Sequence, residues 1–402
     1  MGDHVAGAAF LVGGVRTPVG RYGGALSEVR ADDLAALVVG EAVARTSIPT
    51  DAIDDVILGA ANQAGDDNRN VARMAGLLAG LPDTVPGFTV NRLCASGLQA
   101  VASAAQAIRA GDNDLAVAGG VESMTRAPWV TGKPSRAWAK PDRMFDTALG
   151  WRFVNPRMEV LEGGDATLSL GECTEKLARL AGVSREDSDA YALRSQTLAS
   201  QAWEQGWFDD EIVPVQTRKG DVTVDETVRN GTSLESLASL APAFTEDGVC
   251  TAGNSSPLSD GASALIVAGE ESIKRHGLQP RARVLSYAVA GVAPSLFGLG
   301  PVPAIRSAIG RAGLTLDDID CIDINEAFAA QVIACELELG IPRERLNPAG
   351  GAIALGHPLG SSGSRMLLTL LGHLERTGGR FGVAALCIGV GQGAAMVVDR
   401  HW

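Results

Sequence analysis

The chain reads Asn91-Arg92-Leu93-Cys94-Ala95-Ser96-Gly97-Leu98-Gln99 at the point where an apolar strand pattern gives way to a helical one. Apolar residues then recur at helical spacing until Gly111 ends the run. A cysteine at this junction would lie at the positive end of a helix dipole, which lowers the pKa of a thiol. The pattern therefore predicts a reactive thiolate at Cys94. Because free cysteine is among the most buried residue types, a purely structural role stays open at this point.

The composition is typical of an α/β enzyme. The chain has 402 residues, of which 46% are hydrophobic, 4% are aromatic and 49 are glycine. We therefore expect cores of small aliphatic side chains joined by tight turns. The formal net charge of -13 disfavours nucleic acid or an acidic membrane as the main partner.

The sequence also predicts a cellular compartment. Residues 1–20 lack the basic start, apolar centre and cleavage site of a signal peptide. No run of about eighteen uncharged apolar residues follows, so no membrane span is expected. The six cysteines are scattered without a C-x-x-C pair, which indicates free thiols, a reducing compartment and no metal site. We expect a cytoplasmic protein.

Two segments of the chain repeat one pattern. A Ser-Gly pair at residues 96–97 opens a helix that leads to a strand at 115–118, and a second Ser-Gly pair at 362–363 opens a helix that leads to a strand at 382–386. Two copies of one helix–strand unit predict a duplicated α/β fold with two similar halves. Chance resemblance between two glycine-bounded helices is the alternative.

The region between the two repeats differs in composition. It holds all of the six tryptophans except Trp402, and its charged residues, prolines and glycines follow no regular order. We expect an inserted loop domain here. The expected division is an N-terminal half at residues 1–121, completed by 250–275, an inserted domain at 122–249, and a C-terminal half at 276–402.

Three loops of the second half carry reactive side chains after predicted strands. Asn325 follows a strand at 321–324, His357 lies in a glycine-rich loop, and Cys387 ends a strand before a second glycine-rich turn. Sites form at the carboxyl ends of strands in α/β sheets. Taken alone, Asn325 is a helix cap, His357 a loop residue and Cys387 a core thiol. Together with Cys94, they offer a nucleophile, a base, a second acid/base and N–H donors for an oxyanion.

Four blocks make the chain resemble the thiolase family of acyl-CoA acetyltransferases over essentially its whole length. They are Asn91-Arg92-Leu93-Cys94-Ala95-Ser96-Gly97, Asn325-Glu326-Ala327-Phe328-Ala329, Gly356-His357-Pro358 and Cys387-Ile388-Gly389-Val390-Gly391-Gln392-Gly393, in the family's order and at its separations. The resemblance implies two βαβαβαββ halves related by a pseudo-dyad, a five-layered core, a loop domain over the site, and a homodimer or homotetramer.

The resemblance also implies a role for each site residue. Cys94 attacks a thioester, and His357 activates the thiol of Cys94 and supports the thioester oxygen. The amides of Cys94 and Gly389 form one oxyanion hole, and Asn325 holds a water that completes another. Cys387 moves the proton at the α-carbon of acetyl-CoA. The implied reaction is cleavage of a 3-oxoacyl-CoA by coenzyme A, or the reverse Claisen condensation, by ping-pong turnover with no permanently bound cofactor.

The family's coenzyme A contacts match Arg229, Ser236 and Ser256. Pro257 stands where many members have glycine, so a backbone N–H contact is absent there. The Ser-Leu-Gly sequence at residues 169–171 departs from the family's pattern as well. Both departures concern the pocket around the pantetheine.

The substrate is indicated by a branch of the family. Residues 62–74, residues 150–156 and Val390 resemble the β-ketoadipyl-CoA thiolase branch, which implies 3-oxoadipyl-CoA as the preferred substrate. The terminal carboxylate of that acyl chain requires a cation. The candidates are Arg69, Arg152 and Arg157. An acetoacetyl-CoA or fatty 3-ketoacyl-CoA thiolase is the alternative.

Three further interpretations compete with a thiolase. A ketoacyl synthase shares the duplicated fold but is expected to use a Cys-His-His set. A cysteine hydrolase would not need the second cysteine. A catalytically silent acyl-CoA or lipid carrier on a thiolase scaffold belongs to a different class, and the intact Cys94, His357 and Cys387 argue against it.

Overall fold

The computed structural model describes residues 7–141 and 143–402. The first six residues of the predicted N-terminal half, and of the segment searched for a signal peptide, lie outside these ranges. The strands are β1 Ala9–Arg16, β2 Gly20–Arg21, β3 Asp55–Gly59, β4 Gly87–Val90, β5 Leu115–Ser123, β6 Trp129–Thr131, β7 Met144–Asp146, β8 Val215–Thr217, β9 Gly220–Val222, β10 Ser259–Gly269, β11 Ala282–Gly291, β12 Cys321–Ile324, β13 Phe381–Ile388 and β14 Gln392–Asp399. The helices are α1 Ala31–Thr46, α2 Val71–Leu78, α3 Ser96–Ala110, α4 Leu170–Ala181, α5 Arg185–Glu204, α6 Leu234–Ala238, α7 Glu270–His276, α8 Pro301–Arg311, α9 Ala329–Leu339, α10 Ala352–Leu355 and α11 Leu359–Thr377.

Ten strands form one mixed sheet whose two halves repeat one order. The path is β12-β13-β14-β11-β1-β10-β5-β3-β4, with β2 beside β10. From the centre outwards, one half reads β1, β10, β5, β3, β4, and the other reads β11, β14, β13, β12. An isolated parallel bridge between Ile322 and Leu346 lies where the fifth strand of the second half would be. The repeated order confirms the predicted duplication.

Three apolar cores fill the four boundaries between five layers, because the central core lies on both sides of its helix layer. The central core packs α3 and α11 between the two halves of the sheet, with Val101 and Leu371 from the helices against Leu265 and Leu386 from the strands. The outer face of the first half packs on α1 and α2. The outer face of the second half packs on α8 and α9. The layers therefore alternate as helix, sheet, helix, sheet, helix, as predicted.

The two central helices meet at glycines near their N-termini. A Cβ added to Gly97 of α3 would lie 2.6 Å from the carbonyl oxygen of Gly360 in α11. A Cβ added to Gly363 would lie 2.4 Å from the backbone nitrogen of Leu98. Only glycine permits backbones to approach this closely. The contact brings together the two chain segments that precede α3 and α11.

The region predicted as an insertion contains two small hairpins, β6–β7 and β8–β9, and the helices α4 to α6. Its longest helix, α5, begins after Ser184, and the side chains of Ser184 and Asp187 form the capping box that the sequence predicts. Strand β10 then lies between β1 and β5. The proposed division of the chain into three segments stays a prediction.

The described residues were expected to contain neither a membrane span nor a metal site. None of the helices in these ranges is long and apolar enough to cross a membrane. Within the same ranges, no group of three or more His, Cys, Asp or Glu side chains could hold a metal ion. All six cysteines are free and buried.

A buried ion pair ties β1 to the inserted region. Arg16 donates from Nε to Glu211 at 2.7 Å and from Nη1 to Asp225 at 2.7 Å, and all three side chains are buried. Burial alone would lower the pKa of Arg16, but the two carboxylates hold that pKa above its ordinary value. The guanidinium therefore compensates two charges that have lost their water.

Replacing Arg16 by methionine should lower the free energy of unfolding by about 3–5 kcal/mol, because the change leaves two buried carboxylates without a partner. Urea unfolding followed by circular dichroism at one protein concentration measures this. The matched control is Arg21→Met, since Arg21 pairs with Glu226 at 3.0 Å but its side chain is 68% exposed. That variant should lose about 1 kcal/mol at most. Equal losses in both variants would contradict the argument.

Candidate active site

Cys94 lies in a single 3-10 turn, Leu93–Ala95, between β4 and α3. The turn is held by Asn91, whose Oδ1 accepts from the N–H of Leu93 at 2.9 Å. Leu93 itself has a φ of 46°, a left-handed conformation that residues with a Cβ seldom adopt. The chain is thus bent sharply just before the cysteine, and the thiol lies buried at the start of α3.

The pKa of the Cys94 thiol is raised, not lowered. Burial raises the pKa to about 11, and the N–H groups of Gly389 and of Cys94 itself offset only part of that rise. The prediction of a thiolate stabilised by the helix N-terminus was therefore wrong for the resting protein. Loss of hydration around the sulfur outweighs the favourable amides. Cys94 is a neutral thiol at pH 7.

His357 lies in the loop before α11, and its hydrogen bonds define its tautomer. Nδ1 lies 2.6 Å from Oγ of Ser362, and this hydroxyl donates its one proton to the carbonyl of Pro358 at 3.0 Å. Oγ must therefore accept from Nδ1–H, which leaves Nε2 as an acceptor. Burial, aided by the charge of Arg365, lowers the pKa of His357 to about 3. The ring is neutral at pH 7 and can take a proton at Nε2.

Asn325 follows β12 directly and contacts the histidine. Its Nδ2 lies 3.3 Å from Nε2 of His357, and its backbone N–H donates to Ala385 of β13 at 2.9 Å. Oδ1 of Asn325 is buried and has no hydrogen-bond partner among the described residues. A buried amide oxygen of this kind suits a water or substrate donor.

Cys387 and Gly389 lie at the turn between β13 and β14. Burial, followed by the charge of Cys94, raises the pKa of Cys387 well above its ordinary value. The two thiols are therefore close enough to interact. The N–H of Gly389 lies near enough to the sulfur of Cys94 to favour its thiolate and lower the pKa of that thiol. A Cβ on Gly389 would lie 3.4 Å from Leu93 and 3.7 Å from Leu170, so the glycine faces a space lined by these two leucines.

Left-handed backbone flanks both amide donors. Leu93 precedes Cys94, and Val390, with a φ of 64°, follows Gly389. A β-branched residue in this region costs about 1–3 kcal/mol. Leu93 shares the peptide plane that carries the N–H of Cys94, so its strained conformation helps to set the direction of that donor, whereas Val390 strains the turn directly after Gly389.

The structure brings all five predicted catalytic residues to one place and separates the predicted coenzyme A contacts. Ser256 lies beside the site, because its N–H donates to the carbonyl of Ala327 at 3.0 Å. Arg229 and Ser236 are exposed on the inserted region. The hydroxyl of Ser236 donates at 2.8 Å to the carbonyl of Ser233, the residue that precedes α6.

The departure at residues 169–171 has a structural explanation. Ser169 forms a capping box with Glu172 at the start of α4. Leu170 reaches the space beside Gly389, as described above. A Cβ on Gly171 would lie 2.2 Å from the ring of Phe244, so glycine is required there. The segment thus adds an apolar wall next to the site.

Two residues beside the site were not predicted. The sequence pattern marks Ser362 only as a helix start. A serine five positions after a loop histidine is the signal that could have indicated the hydrogen bond between Ser362 and His357. Glu122 is the penultimate residue of β5 and accepts from the N–H groups of Ala61 at 2.9 Å, Asn62 at 3.1 Å and Gly360 at 2.9 Å. No sequence pattern singles out Glu122, because its partners lie in distant segments.

The three candidate arginines for a substrate carboxylate lie in different settings. Arg69 and Arg157 are exposed. Arg152 is half-buried, and its Nη2 lies 3.3 Å from Oδ1 of Asn62. Only Arg152 is therefore held by a buried residue next to the site.

Comparisons with known proteins agree with the geometry. Residues 9–271 match the family "Thiolase, N-terminal domain" and residues 278–400 match "Thiolase, C-terminal domain". The chain is 54% identical over 400 residues to the 3-oxoadipyl-CoA/3-oxo-5,6-dehydrosuberyl-CoA thiolase of Escherichia coli (strain K12), covering 98% of this chain and 99% of that protein. It is 53% identical over 398 residues to the beta-ketoadipyl-CoA thiolase of Pseudomonas aeruginosa, covering 97% and 98%. The crystal structure of the Bacillus anthracis acetyl-CoA acetyltransferase matches with a TM-score of 0.91 and 42% identity, covering 99% and 100%.

Alkylation of Cys94 by iodoacetamide should be slow at neutral pH and should rise about tenfold per pH unit, because a pKa of about 11 leaves little thiolate. Peptide mass spectrometry at intervals between about pH 6 and about pH 9 measures the rate at this residue. A short cysteine peptide is the control, whose rate should level off above its ordinary pKa of about 8.5. A plateau for Cys94 with a midpoint near neutrality would contradict the prediction and indicate a thiolate–imidazolium pair.

Proposed function

The chain belongs to the thiolase family and is an acyltransferase, and from this premise we propose that its preferred substrate is 3-oxoadipyl-CoA. The enzyme would cleave this substrate with coenzyme A to acetyl-CoA and an acyl-CoA two carbons shorter, or catalyse the reverse condensation. The observation that carries the proposal is the similarity over nearly the full chain to enzymes named for that substrate in Escherichia coli and Pseudomonas aeruginosa.

In the first step of cleavage, the sulfur of Cys94 attacks the 3-oxo carbon and Nε2 of His357 accepts the thiol proton. Because the raised pKa of Cys94 and the lowered pKa of His357 disfavour proton transfer beforehand, transfer accompanies formation of the sulfur–carbon bond. The N–H groups of Cys94 and Gly389 stabilise the oxyanion. Ser362 keeps the proton of His357 on Nδ1 and leaves Nε2 available.

In the second step, the bond between carbons 2 and 3 breaks and its electron pair forms the enolate of acetyl-CoA. Cys387 gives its proton to the α-carbon, which suits a buried thiol that is neutral at pH 7. Asn325, through a bound water, would stabilise the enolate oxygen. The acyl group remains on Cys94 as a thioester until the sulfur of coenzyme A attacks it and gives its proton to the Cys387 thiolate. His357 then returns its proton to the departing sulfur of Cys94, which restores the enzyme and explains ping-pong turnover.

Several finer points belong to the same proposal. Arg229, Ser236 and Ser256 would contact coenzyme A, which acts as a substrate and not as a permanently bound cofactor. The protein would be a homodimer or homotetramer. It would work in the cytoplasm, for which the support is that all six cysteines are free thiols.

The value of kcat/KM for cleavage of 3-oxoadipyl-CoA should exceed that for acetoacetyl-CoA by about tenfold or more, which corresponds to about 1.4 kcal/mol of transition-state discrimination. Formation of acetyl-CoA from each substrate, measured side by side with coenzyme A, provides the ratio. Equal or reversed values would remove the proposed substrate and leave the thiolase activity in place.

Replacing Cys387 by alanine should slow both cleavage and condensation by about 10²–10⁴-fold, because the α-carbon loses its proton donor. Acetylation of Cys94 by acetyl-CoA, measured by mass spectrometry, should persist. The matched control is Cys321→Ala, since Cys321 is equally buried but begins β12 at the far end of the strand from the site. Loss of acetylation in Cys387→Ala, with the control active, would contradict the assigned role.

A further inference from the structure

Three neighbouring parallel strands end at the edge of the sheet that carries Cys94. Strand β3 lies between β4 and β5 and is parallel to both. The chain after β4 leads to Cys94, and the chain after β3 leads to Asn62. Nδ2 of Asn91 donates to the carbonyl of Ala61 at 2.9 Å, so the segments after β3 and β4 lie side by side. Asn62 therefore lies beside the segment that carries Cys94.

Asn62 is held firmly in this position. Its Nδ2 donates to the carbonyl of Thr147 at 3.0 Å and to the hydroxyl of Thr147 at 3.1 Å. Its N–H donates to Glu122 at 3.1 Å. These contacts bury the side chain and leave Oδ1 to accept from Nη2 of Arg152. The guanidinium is thus attached to a buried residue that is itself held by three hydrogen bonds.

The backbone beside Arg152 is fixed as well. Phe153 has a φ of 50°, so the chain bends directly after the arginine. The ring of Phe153 packs on Phe145 of β7 with 4.8 Å between centroids. The bend and the ring contact anchor Arg152 to the β6–β7 hairpin of the inserted region.

Arg152 keeps binding capacity after these contacts. Asn62 engages Nη2, and within the described ranges Arg152 forms no ion pair with a protein carboxylate. Glu122 is the carboxyl group that contacts Asn62, and burial raises the pKa of this carboxyl to about 8. That carboxyl is largely protonated at pH 7 and does not compete for the arginine. Nη2 carries two N–H groups and Asn62 takes one of them. The other can form a fork with Nε or with Nη1, and a guanidinium fork matches the geometry of a carboxylate.

We propose that Arg152 binds the terminal carboxylate of the 3-oxoadipyl chain and is a specificity-determining residue of this enzyme. The inference rests on the proposed function, because only a dicarboxylic acyl chain brings a second anion to this edge of the sheet. The acyl chain would extend from Cys94 past the segment after β3 to the arginine.

The test is the ratio of kcat/KM for 3-oxoadipyl-CoA to that for acetoacetyl-CoA in Arg152→Met. The ratio should fall by about tenfold to about a hundredfold, as expected for loss of a charged hydrogen-bond pair. Activity with acetoacetyl-CoA should stay within about twofold of the unchanged protein, which also shows that the variant is folded. Arg152→Lys keeps the charge without the fork and should give an intermediate ratio.

Arg157→Met is the matched control, because Arg157 lies on the same segment but is exposed; its ratio should not change. An unchanged ratio in Arg152→Met, or an equal loss with both substrates, overturns the inference. The outcome is separable from the proposed function, which fails if the unchanged protein does not prefer 3-oxoadipyl-CoA. In that case a further fall of the ratio in Arg152→Met still supports carboxylate binding by Arg152.

Discussion

The site depends on the contact between the N-termini of the two central helices. A Cβ on Gly97 or on Gly363 would collide with the backbone of the opposite helix, as described above. Strands β3 and β5 approach these helices as closely. A Cβ on Gly59 of β3 would lie 2.3 Å from the backbone of Ser96, and a Cβ on Gly120 of β5 would lie 1.9 Å from the carbonyl oxygen of Gly360. Any side chain here would push the helices apart. Because Cys94 and His357 each precede one of these helices, such a shift would separate the proposed nucleophile from the proposed base.

The same close packing determines the charge state of the site. Burial raises the pKa of Cys94 and lowers that of His357, so both groups are neutral until substrate arrives. A neutral thiol is less prone to stray oxidation and alkylation than a thiolate. In the proposed mechanism, the favourable interactions are instead directed at the oxyanion, through the N–H groups of Cys94 and Gly389. Nε2 has a single lone pair, so the 3.3 Å contact from Asn325 must lengthen when the ring accepts the thiol proton.

The sequence predicted much of this arrangement because its signals are local. A Ser-Gly pair before each of two helices indicated the duplication, and α11 begins at Leu359, only three residues before its predicted start. The four blocks indicated the catalytic set in the same way. The pKa of Cys94 could not be predicted, because burial is produced by packing between distant segments. The roles of Ser362 and Glu122, and the choice of Arg152 among three arginines, likewise depend on contacts between residues far apart in the chain.

In the proposed enzyme, chemistry and selectivity come from different parts of the chain. The duplicated core supplies two equivalent strand edges: one carries Cys94, and the other carries Asn325 and Cys387. The inserted region adds one contact at each edge, with Leu170 next to Gly389 and Arg152 on Asn62. An apolar wall accommodates the methylenes of an acyl chain, whereas a half-buried guanidinium has lost water and regains favourable interactions only with an anion. Substitutions in the inserted region can thus change the accepted acyl chain without altering the geometry at the reacting carbon.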